Sequence, residues 1–288
     1  MRLCVVALCV VAVATIVACS KSPSSDPGRL ARNIPDSIVT VAQYTANDPT
    51  IRMVGDFGAA NVPCWIALVK KVTRSYSFQD ASRELSVIAF EGDLPRAEIE
   101  ACIPEAMKSS PFAITVDHDR DFAVFAAGEM GKVYAMWRDG FVFVSTKEGL
   151  DAVMTGPRST EPWAARLARL PAAEMVSTSN DRIAATVLGV PSPGYDLVID
   201  SMVESRGKLI VRLGSAADAA KVAKQITDNT IPWPPTPPAK LGEAVAKLPV
   251  AVVGTTVEVQ FDRKIFEAVT GEALGTYAKQ LQRIRKGP

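Results

Sequence analysis

AITVDHDRDFAVFAAGEMGKVYAMWRDGFVFVS, residues 113–145, holds four short runs rich in β-branched and aromatic residues. They are Ala113–Val116, Phe122–Ala127, Lys132–Trp137 and Phe141–Ser145. Polar or glycine-containing segments separate them: Asp117–Asp121, Gly128–Gly131 and Arg138–Gly140. A parallel crossover needs a dozen or more residues, so connections this short join antiparallel strands. Thr146 follows and opens a helix to about Met154, capping its first turn. The stretch therefore reads as consecutive hairpins feeding a helix, the signature of an α+β fold.

The same grammar extends outward on both sides. Upstream, Leu85–Phe90 reads as a strand, Gly92-Asp93 as a turn, and Pro95 as the start of a helix striped by Ile99, Cys102, Ile103 and Met107. Asn61 caps an earlier helix with Pro63 in its first turn, and Trp65, Leu68, Val69, Val72 and Tyr76 recur at helical spacing. Ser37–Gln43 and Ile51–Val54 are strand candidates. Downstream, Glu161–Leu170 is helical, and Arg182–Leu188, Tyr195–Met202 and Lys208–Leu213 are strands. Gly214-Ser215 caps a helix to about Thr227. Ile231–Pro238 carries five prolines, which fix φ and remove donors, so it reads as a stiff connector. Leu241–Leu248 is helical, Val250–Val253 and Thr256–Phe261 form a hairpin about Gly254, and Asp262 starts a final helix. That helix is striped by Ile265, Phe266, Val269, Leu274, Tyr277, Leu281 and Ile284. The expectation is α+β in two halves, 35–157 and 158–288. Each has an antiparallel, hairpin-rich sheet faced by helices, together a diverged duplication. In both, a terminal strand (Phe141–Ser145, Lys208–Leu213) runs into a Ser/Thr-capped helix.

Before the body stands a different kind of sequence. Arg2 precedes an almost unbroken apolar run, Leu3–Val17, closed by Ala18, Cys19 and Ser20. A basic start, an apolar core and small residues before a cut site make a secretory signal, too short for a membrane span. Ile16-Val17-Ala18-Cys19 resembles the lipobox of bacterial lipoproteins. The resemblance implies a signal peptide over 1–18 and acylation of Cys19. Residues 19–34 then hold the lipidated cysteine and a Ser/Pro/Gly-rich tether. Two or more acyl chains anchor a protein stably. Ser20 is not Asp, so the resemblance also implies that the inner-membrane retention signal is absent, which favours the outer membrane.

Composition bounds the function classes. The chain has 288 residues, 48% hydrophobic and 22% charged, ordinary for a globular protein. Lys and Arg number 32 against 31 Asp and Glu. A nucleic-acid binder would carry a basic excess, so that partner is not expected. The expected partners are the membrane, through the lipid, and an envelope protein or ligand that the sequence does not name.

Five cysteines occur, at 4, 9, 19, 64 and 102. Two leave with the signal and one is lipidated, which leaves Cys64 and Cys102. An even pair in an exported protein is expected to be a disulfide, worth about 4 kcal/mol in the chain-entropy model. The alternative, two buried thiols, is set aside on compartment. The single histidine, His118, sits in Asp117-His118-Asp119-Arg120-Asp121. The D-x-D-x-D spacing evokes a calcium loop. However, Phe122 stands where the loop needs Gly and Gly128 where it needs an acid, so no metal is assigned. The cluster reads instead as a solvated turn. No Ser-His-Asp set, G-x-S-x-G or Walker loop is present, so no catalytic residue and no cofactor is assigned. A hydrolase working through Asp/Glu alone is the alternative class.

The phrases Cys64-Trp65, Glu91-Gly92-Asp93-Leu94-Pro95-Arg96, Ile99-Glu100 and Cys102 resemble uncharacterised lipoproteins of the myxobacterial type. The resemblance implies a lipobox followed by hairpin-rich α+β halves, and it brings no activity.

Overall fold

The structure, a computed structural model, describes residues 27–44, 62–81, 85–108, 114–128, 131–180, 188–201, 204, 206–228, 230 and 247–262. The signal, the strands expected at Ile51–Val54 and Arg182–Leu188, the proline segment and the final helix lie wholly or almost wholly outside these residues. So does most of the helix expected at Leu241–Leu248. The fold is mixed α+β and mostly antiparallel sheet. It divides into two compact units, Met1–Thr178 and Ser179–Pro288, so the division falls some twenty residues beyond 157/158.

In the first unit the described elements are α1 (Pro27–Ala31), β1 (Ile38–Tyr44), α2 (Pro63–Lys71), β2 (Val72–Asp80), β3 (Ser86–Gly92) and α3 (Arg96–Ala106). They continue with β4 (Thr115–Asp119), β5 (Phe122–Ala126), β6 (Lys132–Arg138), β7 (Phe141–Ser145), α4 (Lys147–Thr155), α5 (Trp163–Arg169) and β8 (Met175–Ser179). The strand order is β8-β1-β2-β3-β7-β6-β5-β4. β7 sits near the middle, with Ala89 opposite Phe143 on one side and Ala135 opposite Val144 on the other.

Alternation along each strand sorts side chains to two faces. Val142, Val144, Ile88, Phe90, Ala123, Phe125, Val133 and Ala135 pack with Trp65 and Leu68 of α2 and Ile99 and Ile103 of α3. Phe141, Phe143, Val87, Ala89, Tyr76, Phe78 and Met136 pack on the other face with Leu30, Leu150, Val153, Trp163 and Leu167. Helices therefore cover both faces, and all five residues of β7 are buried. This explains why Phe141–Ser145 reads as a continuous apolar run rather than alternating with charge.

Three differences from the sequence reading have local causes. The helix beginning at Pro63 stops at Lys71, and Val72–Asp80 is β2, so Tyr76 is a strand residue. Val72 and Tyr76, four apart, match a helix, but an irregularity in the pairing with β3 between Val72 and Arg74 sends them to opposite faces of the sheet. Thr73 and the aromatics Tyr76 and Phe78 favour the strand. Asp117–Asp119 belong to β4, and the turn is only Arg120-Asp121, with Arg120 at φ 55°. β8 carries the polar pattern Met-Val-Ser-Thr-Ser and gave no strand signal, although Ser177, Thr178 and Ser179 are buried.

The second unit contains β9 (Gly194–Ser201), β10 (Arg206–Arg212), α6 (Ala216–Thr227), β11 (Val250–Val253) and β12 (Thr256–Phe261), ordered β11-β12-β10-β9. Val211, Val257 and Val259 face α6, meeting Ala219, Val222 and Ile226. α6 begins at Ser215, whose Oγ accepts the Asp218 N–H at 3.1 Å. α4 begins the same way, Thr146 Oγ1 accepting from Gly149 N at 3.3 Å.

Candidate functional site

The polar chemistry of the first unit gathers where β3 ends and β6 turns into β7. Glu91, the penultimate residue of β3, is buried. Arg29 of α1 donates to Glu91 Oε1 at 2.9 Å, and Tyr76 Oη donates to Oε2 at 3.4 Å. A buried carboxylate persists only with partners of this kind. The Arg29 guanidinium also lies 5.7 Å from the centroid of the Phe141 ring. Asn33 donates from Nδ2 to the Arg29 carbonyl at 3.0 Å and to Asp139 Oδ2 at 2.9 Å. Leu30 and Ile34 beside them are buried. The segment assigned to a tether thus becomes structured at Pro27. Leu30 and Ile34, four apart, are the signal that marked it.

Gly92 closes β3 at φ 156°, and a Cβ there would fall on the Lys71 carbonyl oxygen. Glycine is what lets the chain turn toward Leu94 at this close approach. Beyond it opens a cleft of about 290 Å³, lined by Gly92, Leu94, Trp137, Arg138, Asp139 and Gly140. Trp137 Nε1 donates to the Leu94 carbonyl at 2.7 Å, and the Arg96 guanidinium stacks 5.4 Å from its ring centroid. Arg138 and Arg158 both donate to the last carbonyls of α4: Arg138 to Met154 O at 3.2 Å, Arg158 to Val153 O at 2.6 Å and Met154 O at 3.1 Å. They neutralise the negative end of that helix. Burial, and then the neighbouring Arg138 charge, lowers the Arg158 pKa below its ordinary value.

Cys64 on α2 and Cys102 on α3 stand at disulfide-bonding distance, with Cα atoms 5.7 Å apart. The pair links the two helices, and between those helices and the sheet lies an apolar cavity of about 30 Å³, whose lining includes Trp65, Leu68, Ile103, Phe125, Ala135 and Val144. With no polar lining atom it stays dry, and it is far below the roughly 150 Å³ that admits benzene in an engineered core. It is a packing gap rather than a ligand chamber.

The acidic cluster around His118 is divided among neighbours. His118 Nε2 lies 3.1 Å from Glu100 Oε1, to which Arg96 Nε also donates at 2.6 Å. Burial opposes ionisation of Glu100, but the hydrogen bonds and charges of Arg96 and His118 outweigh it and lower its pKa. Asp119 pairs with Lys147. That hydrogen bond, working against partial desolvation, lowers the Asp119 pKa and raises that of Lys147. Among the described residues no group of three or more His, Cys, Asp or Glu is placed to hold a metal ion. Glu98 is engaged by Lys71 at 2.6 Å. These carboxylates are each held by a cation rather than converging on one point.

Cys19 lies outside the described residues. No helix among the described residues is long and apolar enough to cross a membrane. The residues that sequence reasoning missed are Arg29, Asn33 and Glu91.

No family model matches the chain, and no curated protein matches it. Among solved structures, crystal form I of TP0453 is 12% identical with a TM-score of 0.47, covering 87% of this chain and 99% of that one. Crystal form III is 13% identical with a TM-score of 0.46, covering 83% and 94%. Crystal form IV is 11% identical with a TM-score of 0.44, covering 83% and 95%. At these scores and identities the likeness says nothing about activity.

Proposed function

We propose that this chain is a lipid-anchored bacterial cell-envelope protein, held by an acylated Cys19, whose body binds or scaffolds an envelope component rather than catalysing a reaction. The observation that carries this reading is the N-terminal sequence. Arg2, the apolar run Leu3–Val17 and Ala18-Cys19-Ser20 have the order a lipoprotein signal requires. Two features of the body support it. The placement of Cys64 and Cys102 suits an oxidising compartment. The described carboxylates named above are paired with cations, an arrangement suited to a surface more than to acid–base hydrolysis. Ser20 favours sorting to the outer membrane. The shared passage from strand to capped helix, β7 to α4 and β10 to α6, supports reading the two units as diverged copies of one plan.

The test is Cys19→Ser in the producing cell, followed by fractionation and labelling with an alkyne fatty acid. The wild-type chain is expected in the membrane fraction with label, and the variant in the soluble fraction without it. Equal membrane partition of both, with no label on either, would sink the anchor. Cross-linked affinity capture from intact cells then identifies what the body holds.

A further inference from the structure

The lipid anchor and the first described helix are separated by very little chain. From Cys19 to Pro27 there are eight Cα steps, which reach about 28 Å at full stretch. A Ser/Gly/Pro chain of that length spans only about 16 Å root-mean-square. Where α1 is fixed therefore decides which part of the first unit meets the bilayer. α1 is fixed firmly: Leu30 and Ile34 are buried, Arg29 is bonded to Glu91, and Asn33 to Asp139. Both polar ties run to one end of the sheet, the end that carries Gly92–Leu94, the Arg138–Gly140 turn and the cleft beside Trp137. The opposite end carries the connection after Asp80 and the start of β6 at Lys132, across from Ala126. β3 alone, seven residues long, separates the two ends by about 20 Å.

We infer that the end of the first unit bearing Gly92–Leu94 and the Arg138–Gly140 turn is apposed to the headgroup layer of the bilayer holding the anchor. The cleft beside Trp137 then opens onto that layer. This rests on the reading of Cys19 as acylated. With the tether end down, the chain keeps its root-mean-square length. With the far end down, it must run close to full stretch along the unit, at an entropic cost. Charges at this end are mixed, Arg32 and Arg138 against Asp93 and Asp139, so apposition follows from the tether and survives high salt.

The experiment uses the full-length lipidated protein in phosphatidylcholine/phosphatidylglycerol vesicles containing a lipid-borne fluorescence quencher. One fluorophore is placed by Asp93→Cys at the near end or by Lys132→Cys at the far end, both exposed positions. Quenching at 93 is expected to be roughly twofold that at 132, from a separation of about one strand length, and to hold in high salt. Inserting eight Gly/Ser residues after Ser20 should erase most of the contrast. Equal quenching at the two sites, or more at 132, overturns the orientation while leaving the anchor intact. A contrast unchanged by the longer tether overturns the tether as its cause. Failure of the wild-type protein to float with vesicles overturns the anchor, and the orientation with it.

Discussion

β7 and β10 are both strands that feed a capped helix, yet they solve different packing problems. Phe-Val-Phe-Val-Ser in β7 is buried throughout, because helices cover both faces of the first unit's sheet. Arg-Gly-Lys-Leu-Ile-Val-Arg in β10 alternates. Leu209 and Val211 turn toward α6, while Lys208 pairs with Glu258 at 2.8 Å and Arg212 with Asp196 on the other side. The lesson concerns the meaning of a continuous apolar run. In an antiparallel sheet it marks a strand covered twice, whereas charge at three of four alternate positions, Arg206, Lys208 and Arg212 with Ile210 among them, marks one covered once by apolar packing.

The contrast predicts unequal costs. Phe143, buried between Phe78 and Phe141 at centroid distances of 6.4 and 5.8 Å, should lose up to about 5 kcal/mol on Phe143→Ala. Ile210→Ala on half-buried β10 should lose about 1 to 2 kcal/mol. Urea unfolding of both variants measures this, and equal costs would break the comparison. The next largest effect belongs to the clamp between α2 and α3. Cys64→Ala with Cys102→Ala should lower stability by about 4 kcal/mol. Hydrogen exchange should rise in α2 and α3 and stay unchanged in α6, since the second unit contains no cysteine. Asp196→Ala should cost about 1 to 2 kcal/mol, as it takes the carboxylate from a half-buried Arg212 that keeps its hydrogen bond to the Ser179 carbonyl, and thermal unfolding reads it.

Two smaller effects sharpen the first unit's side. Ala135→Val adds methyl groups into the apolar gap and should gain up to about 1 kcal/mol; a destabilised variant would mean the gap is already full. Glu100 has a folded-state pKa below its ordinary value of 4.5. Its contribution is therefore complete above that value and is lost as pH falls through the lowered one. Glu100→Gln should lower stability slightly at pH 7, leave the acid end of the curve nearly unmoved, and so flatten the limb below about pH 4.5; an unflattened limb contradicts the assignment.

The strands from Phe122 to Ser145 and the capped helices α4 and α6 were legible because turn chemistry and periodicity agreed there. The Cys64–Cys102 partnership was legible from compartment and counting. β2 was not, since Val72 and Tyr76 stand at helical spacing, and the irregularity beside Val72 that sends them to opposite faces comes only from pairing with β3. β8 was hidden by hydroxyl residues that are buried in the sheet. The Arg29–Glu91 tie was invisible for another reason: sixty-two residues separate its partners, and no local rule brings a Ser/Pro/Gly-rich segment to the end of a strand.

α1 also determines how the molecule answers a mechanical pull. β1 starts at Ile38, opposite Asp80, at the end of the sheet away from Glu91. Tension at the N-terminus, directed back over the sheet, would peel β1 from β2 one hydrogen bond at a time, beginning at Ile38. Leu30, Ile34, Arg29 and Asn33 intercept that tension before it arrives, and they share it with β3 and the β6–β7 turn. The helix is a strain relief, and the force the body withstands is set by five residues of α1 and the few that follow it.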